Sequence, residues 1–290
     1  MNPVSDDTHG VTKRSSPYSQ MVDREHPVLF VFLIDQSDSM AESIGDGGLS
    51  KAVSVSAQLN TLIYELIMRC VKIPNERPRP YFFAQAFGYS TDDLGSPRVN
   101  PILTSSPTGW VSMADLAVNP LRIDQMRDPN TGVIVSAPVW VDPVAGGGTP
   151  MCRALDVAGS LASAWLAEHR YSFPPIVINI TDGEATDGDP LVWSQRLRSL
   201  ESEDGHLLLF NIALSAHDAP PQLFPGSTDM LADEFAALLM RMSSQLPEST
   251  VLNARSQGIM VETGSRGFAY NADMSALAMF MNIGTSIGRL

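Results

Sequence analysis

A chain of 290 residues, 44% of them hydrophobic, is long enough for one large domain with a substantial core. It carries 32 acidic against 19 basic residues, a formal net charge of -13, the reverse of the balance by which proteins neutralise nucleic-acid phosphates or anionic lipid. A divalent cation or a basic protein surface is the better electrostatic match, so neither nucleic acid nor membrane is expected as a partner.

Residues 1–26 are polar and mixed in charge, and read as a flexible N-terminal tail without the apolar stretch of a signal peptide. Val28 to Ile34 is a continuous apolar run rich in β-formers, the pattern of a strand buried on both faces of a parallel sheet. It is far shorter than the ~20 residues of a membrane span. Cys70 and Cys152 lack metal-type spacing and read as buried free thiols of a reducing compartment. The expected location is cytoplasmic.

A glycine-rich loop (Gly45, Gly47, Gly48) precedes a helix from about Ser50 to Cys70, with Val53, Ala57, Leu62, Leu66 and Cys70 at helical spacing. Tyr81 to Tyr89 reads as a second strand. Ser90 to Thr131 is rich in Pro, Asp and Ser, with a short helix near Trp110–Val118. Val133 to Val141 alternates like a strand and runs into Gly146-Gly-Gly-Thr149-Pro150, which predicts a helix with Thr149 at the N-cap and Pro150 at the first helical position. Met151, Leu155, Ala158, Ala162 and Trp165 mark its buried face.

Pro175 to Ile180 is another buried strand, followed by Thr181-Asp182-Gly183. Asp189-Pro190 starts a helix to about Glu203; His206 to Leu214 is a strand, Asp229 to Leu246 a helix, and Gly267 to Tyr270 a short strand before a closing helix from about Asp273. Strands alternating with helices of this length predict a single α/β domain with a mostly parallel sheet.

Open parallel sheets bind ligands beyond the carboxyl ends of their strands, where strand order reverses. Three segments leave such ends, or the turns beside them, with oxygen-bearing side chains: Asp35, Ser37 and Ser39 after the first strand, Thr149 after Gly148, and Asp182 after the Pro175–Ile180 strand. Two carboxylates and three hydroxyls, without histidine or cysteine, form a hard-oxygen set suited to Mg2+, with Mn2+ or Ca2+ as alternatives. Neutral hydroxyls leave much of the ion's charge unneutralised. A partner's Asp or Glu is then the natural last ligand.

Asp35-x-Ser37-x-Ser39, Thr149 behind glycines and Asp182 in a TDG turn together resemble the metal-ion-dependent adhesion site (MIDAS) of von Willebrand factor A (vWA) domains. The resemblance implies one Rossmann-like vWA domain over residues 27–290, with an extended segment at about 90–132. Its central sheet would be mostly parallel with one antiparallel edge strand, and helices would cover both faces. Ser37, Ser39 and Thr149 would hold the ion themselves, and Asp35 and Asp182 would act directly or through water.

Within the family the chain looks most like the stand-alone bacterial TerY-type proteins linked to tellurite resistance, on LIDQSDSM, GGGTPM, ITDGEATDGDP and ALAMFMNIGTSIGRL. Such proteins are often encoded beside a serine/threonine kinase and a metal-dependent phosphatase, in stress or phage-defence settings. The implied function is a non-catalytic, metal-dependent protein-interaction module. The segment Ser90–Thr131 departs from the pattern, being longer than the usual hairpin between the second and third strands.

The alternative is a metal-dependent phosphatase or phosphotransferase with Asp35 as nucleophile. The general acid such enzymes carry two residues on is replaced here by Ser37, and neither a GxxxxGK[ST] cradle nor a GxSxG elbow is present. A metal-free scaffold is a third reading. No catalytic residue is expected. Asp189 is expected to cap its helix, Glu184 and Asp187 to form a solvated rim, and Asp38 and Asp46 to lie at the surface. The five histidines are scattered outside the motif segments.

Overall fold

Strand β1 (Val28–Asp35) is buried along its whole length, and its side chains alternate between two cores. Val28, Phe30, Phe32 and Ile34 enter one, Leu29, Val31 and Leu33 the other. That is why its sequence is continuously apolar: a strand covered on both faces has no side to give to water. In the computed structural model of the chain, residues 16–43, 48–103, 108–127, 132–214, 221–228, 231, 234–272, 276 and 278–280 are described.

After β1 come a 3-10 turn (Asp38–Ala41), helix α1 (Lys51–Cys70), β2 (Phe82–Thr91), β3 (Pro97–Pro101), β4 (Val111–Ser112) and the one-turn α2 (Met113–Leu116). Next are β5 (Arg122–Arg127), β6 (Ile134–Val139), α3 (Met151–Glu168), β7 (Ile176–Thr181) and α4 (Pro190–Arg198). The chain continues through β8 (Glu201–Ser202), β9 (Gly205–His206), β10 (Leu208–Ala213), β11 (Gln222–Leu223), α5 (Glu234–Met242), α6 (Glu248–Ser256) and β12 (Phe268–Tyr270).

The main sheet runs β11-β12-β10-β7-β1-β2-β3, with β4 beside β2. Neighbours from β12 through β2 pair in parallel; β3 and β4 join β2, and β11 joins β12, in antiparallel. Prolines at both ends of β3 suit an edge strand, where ladder donors are not required. The fold is thus α/β with a mostly parallel central sheet, an antiparallel edge and helices on both faces. α1 packs into the core shared with Phe30 and Phe32, and α3, α4 and α5 into the one shared with Val31 and Leu33.

From β1 the chain first moves to β2 on one side and later returns to β7 on the other. The order therefore reverses at β1, and the carboxyl ends of β1 and β7 flank the crevice where such sheets bind ligands.

Four expectations change. The buried face of α1 is Val55, Leu59, Leu62, Ile63 and Leu66, whereas Ala57 is exposed. Val53 and Ala57 instead line an apolar groove of about 580 Å3 against Val135 and Val139 of β6. The Val133–Val141 stretch does form a strand, but among the described residues it pairs only with β5, outside the main sheet. α4 stops at Arg198, short of the Glu203 expected from the sequence, and α6 lies where no separate helix was anticipated.

Gly45, Asp46 and Gly47, most of the helix expected from Asp273, and residues 1–15 of the expected tail lie outside the described residues. Of that tail, residues 18–22 rest on the body. The Tyr18 amide donates to the Asp204 carbonyl at 2.7 Å, the Ser19 and Gln20 amides to its carboxylate, and Val22 is buried. No helix among the described residues is long and apolar enough to cross a membrane. Cys70 and Cys152 are free and buried, and burial raises their thiols to about 11 and about 12.

Candidate functional site

Asp35 is the last residue of β1, and Thr181 the last of β7. The Thr181 hydroxyl donates to Asp35 Oδ2 at 2.6 Å, and the Ser37 amide donates to Asp35 Oδ1 at 2.9 Å, so both oxygens of the fully buried carboxylate are engaged. Burial pushes Asp35 up from 3.8 to about 6, against those hydrogen bonds, and the nearby Asp182 adds to the rise.

The site continues through side chains. The Ser37 and Ser39 hydroxyls lie 3.1 Å apart, and the Ser39 hydroxyl donates to Asp182 Oδ1 at 2.7 Å. The other Asp182 oxygen accepts from Lys51 Nζ at 2.8 Å, and the Asp182 side chain is wholly buried. Asp35, Ser37, Ser39 and Asp182 are therefore assembled around one point at the ends of β1 and β7.

Thr149 arrives on the loop before α3, stitched to the first motif segment. The Gly146 amide donates to the Gln36 carbonyl at 2.7 Å, Asp38 N to the Gly147 carbonyl at 2.9 Å, and Gly147 N back to Asp38 Oδ1 at 3.0 Å. Gly147 has φ +87°, and a Cβ there would fall 2.4 Å from the Thr91 carbonyl oxygen, so only glycine lets the loop pass. A Cβ on Gly183 would lie 3.3 Å from Thr149 Oγ1, which puts that hydroxyl against the Asp182 turn. The residue is 5% exposed; its hydroxyl makes no hydrogen bond among the described residues and is not one of their solvent-excluded unpartnered atoms, so it opens to the crevice.

The capping expectation for Thr149 is corrected. α3 begins at Met151 with Pro150 in the cap position, and no side chain of either residue caps it. Asp187 does so instead: its two carboxylate oxygens accept from the amides of Cys152 (2.9 Å) and Arg153 (2.8 Å). Asp187 is thus a helix cap rather than part of a solvated rim, and the Thr149 hydroxyl is left over. Asp189 caps α4 as expected, accepting from Leu191 N at 2.9 Å, and Glu184 is exposed. Asp38 is exposed but holds the glycine loop.

Sequence reasoning missed Lys51, Thr181 and Thr91. Thr91 Oγ1 accepts the Gly148 amide at 2.7 Å. Lys51 had a signal, a cation on the first turn of a helix, where the macrodipole opposes it. Also unanticipated is a buried polar chain under the site: Tyr89 OH donates to Asn179 Oδ1 (2.9 Å), Asn179 Nδ2 to Asn211 Oδ1 (3.0 Å), and Asn211 Nδ2 to Ser243 Oγ (2.9 Å). Burial, and then the charge of Asp35, raise the Tyr89 phenol well above its ordinary value.

Among the described residues no three His, Cys, Asp or Glu side chains form a metal-type cluster. The oxygens gathered here are two carboxylates and three hydroxyls, a set that fits a hard cation and no soft one.

No protein-family model matches the chain, and no curated protein matches it. Solved structures similar to it include proximal thread matrix protein 1 from the mussel byssus, 14% identical with a TM-score of 0.43, over 91% of this chain and 46% of that one. The pilus adhesin SpaC of Lactobacillus rhamnosus GG is 11% identical, TM-score 0.44, over 94% and 32%. The PilB minor pilin of Streptococcus sanguinis is 10% identical, TM-score 0.42, over 89% and 60%. The chain spans less than two thirds of each of these proteins.

Proposed function

We propose that this chain is a vWA-type, non-catalytic interaction module whose Ser37, Ser39 and Thr149 hydroxyls hold one divalent cation, Mg2+ or Mn2+ before Ca2+. In this reading Asp35 and Asp182 act from behind those hydroxyls, and an Asp or Glu of a partner protein completes the set. When bound, the cation supplies a Lewis-acidic point that seeks an anionic oxygen. The single observation that carries the reading is the convergence of Asp35, Ser37, Ser39 and Asp182 at the carboxyl ends of β1 and β7, with Thr149 on a loop tied to the Ser37–Ser39 segment.

The engaged state of Asp35 weighs against a phosphoryl-transfer enzyme. A nucleophilic carboxylate needs a free oxygen facing substrate, and both oxygens here are turned inward to Thr181 and Ser37. The reading extends, on the TerY-type resemblance of the motif segments alone, to a role in bacterial stress or defence signalling, with a serine/threonine kinase or a protein phosphatase as the partner class.

Thr149→Ala gives a clean test, because it removes one proposed ligand and breaks no hydrogen bond of the described residues. The expected result is a melting temperature in chelator close to wild type, together with loss of the Mg2+- or Mn2+-induced rise. For wild type at a hundredfold excess over Kd that rise corresponds to about 2.7 kcal/mol. An equal rise in the variant sinks the cation assignment. Recovery of a partner from native cells that is unaffected by chelator would leave the site without its proposed role.

A further inference from the structure

The Lys51 ammonium sits among three oxygens: Asp182 Oδ2 at 2.8 Å, Glu42 Oε2 at 2.9 Å and the Ser39 carbonyl at 3.5 Å. An ammonium has three N–H donors, so this cage matches its capacity. The side chain is only 4% exposed. Such a placement is costly on two counts. Burial disfavours the charge, and Lys51 is the first residue of α1, where the positive end of the helix repels a cation. Burial pulls its pKa down, yet the hydrogen bonds and charges of Asp182 and Glu42 outweigh that, and the net direction is up. A purely structural first turn would be better served by the Asp, Glu or neutral residue that helices ordinarily place there.

We propose that Lys51 is a tethered cation that holds Asp182 away from the divalent ion and leaves that ion short of negative charge, so that it takes its anionic ligand from another protein. This rests on the cation-site reading above. One Asp182 oxygen is bound to the ammonium and the other accepts the Ser39 hydroxyl proton, so a divalent ion reaching that carboxylate directly would meet the repulsion of the ammonium already on it. The Ser39 proton is committed to Asp182, so in the 3.1 Å contact with Ser37 it is Ser37 that donates, and Ser39 keeps one lone pair to face the ion. Lys51 also offsets one of the three carboxylate charges, of Asp35, Asp182 and Glu42, gathered about the site. A chain without it would satisfy its ion internally and have less need of a partner's carboxylate.

The test is calorimetric titration of the full chain with MnCl2 in chelator-treated buffer, for wild type, Lys51→Met and Lys51→Arg. The neutral variant should bind Mn2+ at least tenfold tighter, about 1.4 kcal/mol, and Lys51→Arg should stay within threefold of wild type. Lys51→Ala, which likewise removes both the charge and every donor to Asp182, replaces Lys51→Met should that variant not fold. A neutral variant that binds within tenfold of wild type, or more weakly, overturns the tether alone. Wild type that takes up no Mn2+ overturns the cation-site reading, and the tether with it.

Discussion

Strands β1 and β6 are both rich in branched apolar residues, yet they end in opposite environments. β1 has α1 on one face and α3 on the other, and residues 28–33 are 0% exposed. Among the described residues β6 pairs only with β5 and leans on α1, and Ile134 stays 62% exposed and its hairpin neighbour Ile123 60%. Alternation in the sequence reports that a segment will pair as a strand; what covers it is a tertiary fact. The difference also decides where chemistry can sit. Polar groups at the end of a strand clamped on both faces are held in place by their neighbours, as Asp35 is by Thr181 and Ser37.

The strongest way to break this contrast is to empty one side of β1. Phe32 is fully buried, with its ring centroid 6.5 Å from that of Phe30. Phe32→Ala should lose about 3–5 kcal/mol of unfolding free energy, read from urea denaturation midpoints. A loss under about 1 kcal/mol would show that the β1 core can collapse around the gap and is no firmer than the hairpin.

β1 was readable because burial on both faces writes a continuous apolar run, and the first motif segment was readable because it follows that run directly. β7 and its Asp182 turn were legible for the same reason. The role of Thr149 was half legible: Thr-Pro signals a helix start from local chemistry alone, while the actual cap, Asp187, comes from 36 positions after the motif's Met151 and is invisible to local reading. Lys51 was hidden similarly, since its carboxylate Asp182 belongs to a distant strand end. The Tyr89–Asn179–Asn211 chain was obscured because isolated polar residues in apolar strands carry no mark of mutual contact.

A second, smaller effect sharpens the contrast at the end of β1. The folded-state pKa of Asp35 is raised from 3.8 to about 6 by burial, partly offset by Thr181 and Ser37, with Asp182 adding to the rise and Lys51 facing the same cluster through Asp182. Between about pH 4 and pH 6 the unfolded chain has released this proton while the folded chain still holds it. Stability from this group therefore falls as pH rises through that window, and the loss is complete above about 6, on the order of 3 kcal/mol. In metal-free protein the stability difference between wild type and Asp35→Asn should move in favour of the variant by that amount from pH 4 to pH 7. A difference that does not change with pH would mean Asp35 is ionised in both states and its burial is without consequence.

The smallest effect is expected on β6, and it is the most direct check that the hairpin differs from β1. Ile134 opposes Arg127 across the β5–β6 pair, and most of its side chain faces water. Ile134→Ser loses some strand propensity and little buried area, so unfolding free energy should change by no more than about 0.5 kcal/mol. The same substitution removes part of an exposed apolar patch on a two-stranded sheet with open edges, the arrangement most prone to edge-to-edge association. Sedimentation across a concentration series separates the two consequences. Unchanged stability with unchanged or reduced self-association keeps the hairpin a solvent-facing element. A loss above about 1.5 kcal/mol that grows with protein concentration would show instead that β6 is covered in the folded state by a second copy, and that its apolar run, like that of β1, is there to be buried.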